Sequence, residues 1–260
     1  MRHADLVRFW LLGGAGLVAV ALLVLVGVRL LGGDQDDGPR PDQARPGTIL
    51  LVPGYGGNRA ALTELAGRLT AEGRTAQVLT LPGEGTGALE EQAGVLDAAV
   101  TDALAGGAPS VDVIGYSAGG VVTRIWVKDH RGAEKARRVV SLGSPLHGTR
   151  LAGLGASFAR AQCPAACQEL VPGSDLLDSI DDRLPAGLPW LSIWTTNDET
   201  VQPPDSARLD GAINLPLQTL CPAARTTHSG LPTDPYVTAL VIEALGDDPL
   251  TEPASCPAVR

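Results

Sequence analysis

The apolar positions along this chain fall into two regimes. From Phe9 to Val28 there are 20 consecutive uncharged residues, FWLLGGAGLVAVALLVLVGV, apolar on every helical face. At 1.5 Å per residue such a helix spans roughly 30 Å, the thickness of a bilayer's hydrocarbon core. A transmembrane anchor over 9–31 is the preferred expectation. A cleaved signal would carry a shorter apolar region and a small-residue cleavage site, and the residues after the span, Arg29-Leu-Leu-Gly-Gly-Asp, offer none. Secretion after signal cleavage stays open as the alternative. Arg2 and Arg8 precede the span, which puts 1–8 in the cytoplasm and the rest outside. Residues 32–46, GGDQDDGPRPDQARP, have no apolar periodicity and read as a linker.

Beyond Gly47 the pattern changes to short β-rich runs at 48–52, 76–81, 111–114, 138–142, 190–195 and 212–215. Between the early runs lie stretches with helical spacing at 58–72, 87–105 and 118–130, with Asn58 as a cap and Gly73 as a stop. Continuous apolar strands alternating with helices predict a mostly parallel central sheet covered on both faces, in a domain over 47–260. One interval, 149–189, is too long for a simple connection. It reads as a helical cap over the carboxyl edge of the sheet, where ligands bind in open α/β sheets.

Composition narrows the class. Hydrophobic residues make up 44% and charged residues 19%, which excludes a disordered chain. The net charge of −9 excludes a basic nucleic-acid footprint. Arg2, Arg8 and Arg29 outnumber Asp5 at the N-terminus, so the remainder is more acidic than the whole. All four cysteines lie beyond the apolar span, as in a protein of an oxidising compartment. Four cysteines permit three pairings. The preferred one joins Cys163 to Cys167 as a local clip and Cys221 to Cys256 to tie down the tail. A metal reading fails because no histidine sits near the cysteines.

The segment VDVIGYSAGGVV (111–122) carries the chemistry. It places Gly115-Tyr116-Ser117-Ala118-Gly119 between a strand and a helix, the G-x-S-x-G turn that exposes a nucleophilic serine. Serine needs a base, and the base needs an orienting acid. Of the four histidines, His3 precedes the span, His130 ends a helix as a dipole partner, and His147 could line the site. His228, in RTTHSGLP after the last strand, is the expected base. Asp198, directly after the strand at 190–195, is the expected acid, with Glu199, Asp205 and Asp210 as competitors. VPGYGGN (52–58) follows the first strand, and its glycines allow backbone amides to face the site. Tyr55 would then supply an oxyanion donor opposite the Ala118 amide. LPGEGTGA (81–88) reads as a loop at the rim. Neither loop has a phosphate-binding fingerprint.

Taken together, these motifs resemble the α/β-hydrolase superfamily, in particular its bacterial triacylglycerol lipase and esterase branch. The resemblance runs from about 47 to 246. It rests on LLVPGYGG, IGYSAGG, VSLGSPLHGT, LSIWTTNDETV and THSGLP. It implies an α/β-hydrolase fold with Ser117 as nucleophile, Asp198 as acid and His228 as base. Tyr55 and Ala118 are the implied oxyanion donors, and Gly54, Tyr116, Leu146 and His147 the implied substrate-binding residues. The sequence departs from the family at Pro53 and at Leu146, where relatives often carry histidine. No aspartates match the calcium site of the larger lipases, so no metal and no cofactor are expected.

Ester hydrolysis is the expected activity. An acyltransferase or thioesterase on the same three residues is the alternative, and a non-catalytic surface protein a weaker one. Medium- or long-chain esters suit a tethered site beside Leu151, Leu154, Phe158 and Leu170. The expected partners are a lipid or small ester substrate and the membrane; neither nucleic acid nor a protein partner is implied.

Overall fold

The computed structural model describes residues 39–180 and 183–259. The expected anchor over 9–31 lies outside the described residues. Among the described residues, no helix is long and apolar enough to cross a membrane.

Six strands form one sheet: β1 (Thr48–Val52), β2 (Ala76–Val78), β3 (Val111–Tyr116), β4 (Ala136–Leu142), β5 (Trp190–Trp194) and β6 (Ile213–Pro216). Their order is β2-β1-β3-β4-β5-β6, and every neighbouring pair is parallel. The run expected over 76–81 pairs only as far as Val78, with one further bond from Leu79 N to Leu51 O. Its partner β1 turns away at Pro53, which has no N–H to continue a ladder. β3 runs two residues longer than its apolar core suggests and ends directly before Ser117.

Strand periodicity divides the core into two layers. Leu50, Val52, Val113 and Val139 face one side, and Ile49, Leu51, Ile114 and Val140 the other. The first side is covered by α2 (Leu89–Ala105) and α3 (Ala118–Asp129), which pack on each other. Leu89, Ala93, Leu96 and Val100 form the buried stripe of α2 at helical spacing. The second side is covered by α1 (Ala60–Ala71), through Leu62, Leu65, Ala66 and Leu69, and by α8 (Pro235–Ala244). Asn58 Oδ1 accepts from the Ala60 amide at the entry to α1. Asp234 caps α8 through the amides of Tyr236 and Val237. A short α7 (Leu217–Leu220) follows β6.

The 149–189 interval is helical, as expected. It contains α4 (Arg150–Phe158), α5 (Ala165–Glu169) and α6 (Asp175–Ser179). It is tied to the 81–88 loop and to α2: Ala166 N donates to Thr86 O at 3.2 Å, and the Glu169 carboxylate accepts from Leu89 N at 2.7 Å. Both expected disulfides are present, Cys163–Cys167 and Cys221–Cys256.

A charged cluster at the amino edge of the sheet lies outside what the hydrophobic pattern predicts. Asp112 on β3 is fully buried and pairs with Arg74 at 2.6 Å and Arg137 at 2.7 Å. Arg137 and Arg138 also donate to the carbonyls of Ala244, Leu245 and Gly246, which end α8. The guanidiniums thus satisfy carbonyls that a helix leaves unpaired at its C-terminus. Arg137 also donates to Gln43 O, and Gln43 returns a bond to Arg137 O. The described end of the expected linker is therefore held on the body.

Candidate active site

The strand order reverses direction between β1 and β3, and the loops that leave these two strands meet there. In open α/β sheets this is where ligands bind. Ser117 stands at the corner between β3 and α3 with φ 52 and ψ −126, a left-handed backbone that costs a non-glycine residue about 1–3 kcal/mol. Close packing maintains the corner. A Cβ on Gly119 would lie 2.3 Å from Val52 O, and one on Gly115 would lie 2.6 Å from Gly120 Cα. The Ser117 amide is anchored to Leu142 O at 2.9 Å.

Ser117 Oγ lies 3.0 Å from His228 Nε2. On the other side of the ring, His228 Nδ1 lies 2.7 Å from Asp198 Oδ2. A carboxylate can only accept, so Nδ1 carries the hydrogen and Nε2 is free to accept from the serine. Asp198 is 3% exposed. Its Oδ1 accepts from the amides of Thr200 at 2.9 Å and Val201 at 2.7 Å, and Gln202 Nε2 donates to its carbonyl. Of the expected competitors, Glu199 binds the His228 backbone amide at 3.2 Å and not the ring. His130 lies instead at the end of α3, with Nδ1 3.5 Å from Asp97.

Tyr116 braces the histidine. Its ring centroid lies 5.3 Å from that of His228, and its hydroxyl donates to His228 O at 3.3 Å. Burial, with the carboxylates of Asp198 and Glu199 nearby, pushes its phenol up to about 12, so it stays a neutral donor.

No family model matches the chain, and no curated protein matches it by sequence. Solved structures do match. Lipase B of Aspergillus fumigatus aligns with a TM-score of 0.65 at 21% identity, over 77% of this chain and 52% of its own. The propeptide form of the Bacillus licheniformis lipase BlEst2 gives 0.63 at 20% identity, over 85% of this chain and 54% of its own. A monoacylglycerol lipase of Paleococcus ferrophilus gives 0.55 at 16% identity, over 80% and 95%. The fold is that of the α/β-hydrolases. This chain spans about half the length of the first two relatives.

As in other α/β-hydrolase folds, the residues that meet here follow β1, β3, β5 and β6 at their carboxyl ends. Beside Ser117 lies a cleft of about 160 Å³, walled by Tyr55, Leu151, Ala152, Leu170 and Val201. Gly54 packs directly on Ser117, where an added Cβ would come within 2.8 Å of the serine Cβ. Two of the expected substrate-binding residues are not brought to this cleft. Leu146 and His147 line a separate cavity of about 350 Å³ with Gly173, Leu177, Asp178 and Ile180. Leu146 is fully buried in the core, and its carbonyl accepts from Arg124. His147 Nδ1 lies 3.2 Å from Ser206 O. The chain between β4 and α4 turns at Gly148, whose φ is 84°.

Sequence reasoning missed Thr149. Its hydroxyl donates to Thr200 O at 2.8 Å and accepts from the amides of Gln202 at 3.0 Å and Leu151 at 3.4 Å. It therefore ties the Asp198 loop to the start of α4. The only signal was its place as a threonine directly before an apolar helical stretch, the position of a cap.

Proposed function

We propose that this chain hydrolyses carboxylic esters through an acyl-enzyme on Ser117. Ser117 Oγ attacks the acyl carbonyl while His228 Nε2 takes its proton. Asp198 holds the imidazole in the required tautomer and stabilises the cation that forms. The tetrahedral intermediate collapses, His228 returns the proton to the leaving alcohol, and the acyl group stays on Ser117. Water then gives its proton to His228 and attacks the acyl carbon, releasing the acid and restoring the serine hydroxyl. The Tyr55 and Ala118 amides are the proposed oxyanion donors; in comparable sites one such donor is worth about 3–4 kcal/mol.

The observation that carries this reading is the 3.0 Å contact between Ser117 Oγ and His228 Nε2 at a left-handed strand-to-helix corner. The two disulfides support a place outside the cytoplasm. We place the catalytic domain there, anchored through 9–31.

The test is hydrolysis of p-nitrophenyl butyrate and palmitate by the full chain beside Ser117→Ala. Turnover that falls at least about 10³-fold in the variant is expected. Silence from folded, oxidised wild-type protein on both esters would sink ester hydrolysis and favour an acyltransferase with its own acceptor.

A further inference from the structure

α4 has two unlike faces. Leu154 and Phe158 point outward, Phe158 being 86% exposed, while Leu151 and Ala152 line the cleft beside Ser117. Gly155, one turn beyond Ala152, lies over the Cys163–Cys167 disulfide: an added Cβ would come within 3.2 Å of Cys167 Sγ and 3.9 Å of Cys163 Sγ. Cys163 is buried beneath the helix, and Cys167 reaches the lining of the cleft itself. The disulfide therefore lies against α4 at Gly155, with Cys167 closing that side of the cleft.

The chemistry of the lining is restrictive. Among the described residues, none that lines the cleft carries a charge. The Thr149 hydroxyl is already engaged with three backbone groups. What remains for a ligand, besides Ser117 and the side chains of Tyr55 and Thr200, is apolar surface from Leu151, Ala152, Leu170, Val201 and Cys167. The volume is about 160 Å³. An apolar protein cavity of about 150 Å³ takes one benzene, a molecule of six carbons.

We propose that the Cys163–Cys167 disulfide is a specificity-determining wall that limits the acyl group to an uncharged group of about six carbons. The inference rests on the ester-hydrolase reading of Ser117. It narrows the substrate to short-chain esters, in contrast to the longer chains that the apolar side chains of the 149–189 interval suggest by composition alone. Longer acyl chains must leave the cleft past Leu151 and lose further contact.

The experiment is a kcat/KM series over p-nitrophenyl acetate, butyrate, hexanoate, decanoate and palmitate, for wild type, Cys163→Ala/Cys167→Ala and Ala152→Leu. In the wild type, values rise at least about 10-fold from acetate to hexanoate and do not rise beyond it. Removing the two sulfurs opens the space under Gly155 and moves the maximum to decanoate or longer. Ala152→Leu fills the cleft and lowers the hexanoate-to-acetate ratio at least about 10-fold. Ala152→Leu shows whether the acyl chain occupies the cleft, and a wild-type optimum at decanoate or longer overturns the wall without either variant. Turnover with a chain-length profile that the cysteine variant leaves unchanged would overturn the wall and leave ester hydrolysis standing. No turnover of any ester by the wild type would overturn the ester-hydrolase reading, and this inference with it.

Discussion

Glu199 and His228 are joined at 3.2 Å by a bond from the histidine's backbone amide to the glutamate's carboxylate. The residue before Glu199, Asp198, binds the ring of the same histidine. Two adjacent carboxylates thus hold one residue at two points, one on the backbone and one on the side chain. The first positions the loop and the second orients the imidazole.

This division of labour separates two substitutions. Glu199→Gln keeps an acceptor oxygen for the His228 amide, and because Glu199 is exposed its charge is largely screened by solvent. Glu199→Ala removes the bond, a loss worth about 1 kcal/mol or somewhat more. Steady-state kinetics should show near-normal kcat/KM for the glutamine variant and a fall of about 10-fold for alanine. Equal losses in both would assign the effect to charge and contradict the positioning role.

Gly54 offers a steric test of the same site. Its missing side chain makes room for Ser117 Cβ, which an alanine methyl would approach to 2.8 Å. Gly54→Ala should displace the loop after β1 or the serine by a few tenths of an ångström or more. A misplacement of about 1 Å can cost about 100-fold in rate. The expected result is a kcat reduced about 10- to 100-fold, with the thermal midpoint barely changed, read by parallel kinetics and calorimetry.

Asp112 tests the opposite edge of the sheet. It is fully buried between Arg74 and Arg137, so removing it strands guanidinium charge inside the protein. Breaking such a pair by deleting one partner costs about 3–5 kcal/mol. Denaturant unfolding of Asp112→Ala, with both disulfides intact, should show a loss of that size.

Glu169 predicts a pH dependence of stability. Burial raises its carboxyl above the usual 4.5; the Leu89 amide pulls the other way, and the Glu90 and Glu91 carboxylates add to the rise. The folded state therefore holds this proton more tightly than the unfolded state. The group's stabilisation is complete below 4.5 and is lost as pH rises through the raised value. Glu169→Gln cannot titrate, and its side-chain oxygen can still accept from Leu89. Thermal melts between about pH 4 and 7 should show a less negative slope of stability with pH for this variant than for wild type. Identical slopes would contradict the assignment.

Much of the architecture is legible in the chain's own periodicities. Strand runs and helical stripes repeat at their own periods, and each period is a local property of the chain. The G-x-S-x-G corner is legible too, because its glycines are demanded by contacts within a few residues and with the adjoining strand. The role suggested for His147 rested on its proximity in sequence to a strand end, and that of Leu146 on the family resemblance. Leu146 is buried in the core, and it lines a different cavity together with His147.

By itself the sequence determined the order of strands and helices, the serine corner, and the small set of acids and histidines that could serve it. Those follow from backbone sterics and apolar periodicity, which act over a few residues. Only the tertiary structure decided that Asp198, and not Glu199, meets the His228 ring, that Thr149 ties the acid loop to α4, and that Cys167 lines the cleft beside Ser117. Each of these joins segments whose separation is set by how loops pack over the sheet edge. That packing is a sum of many weak contacts, which no short stretch of sequence contains.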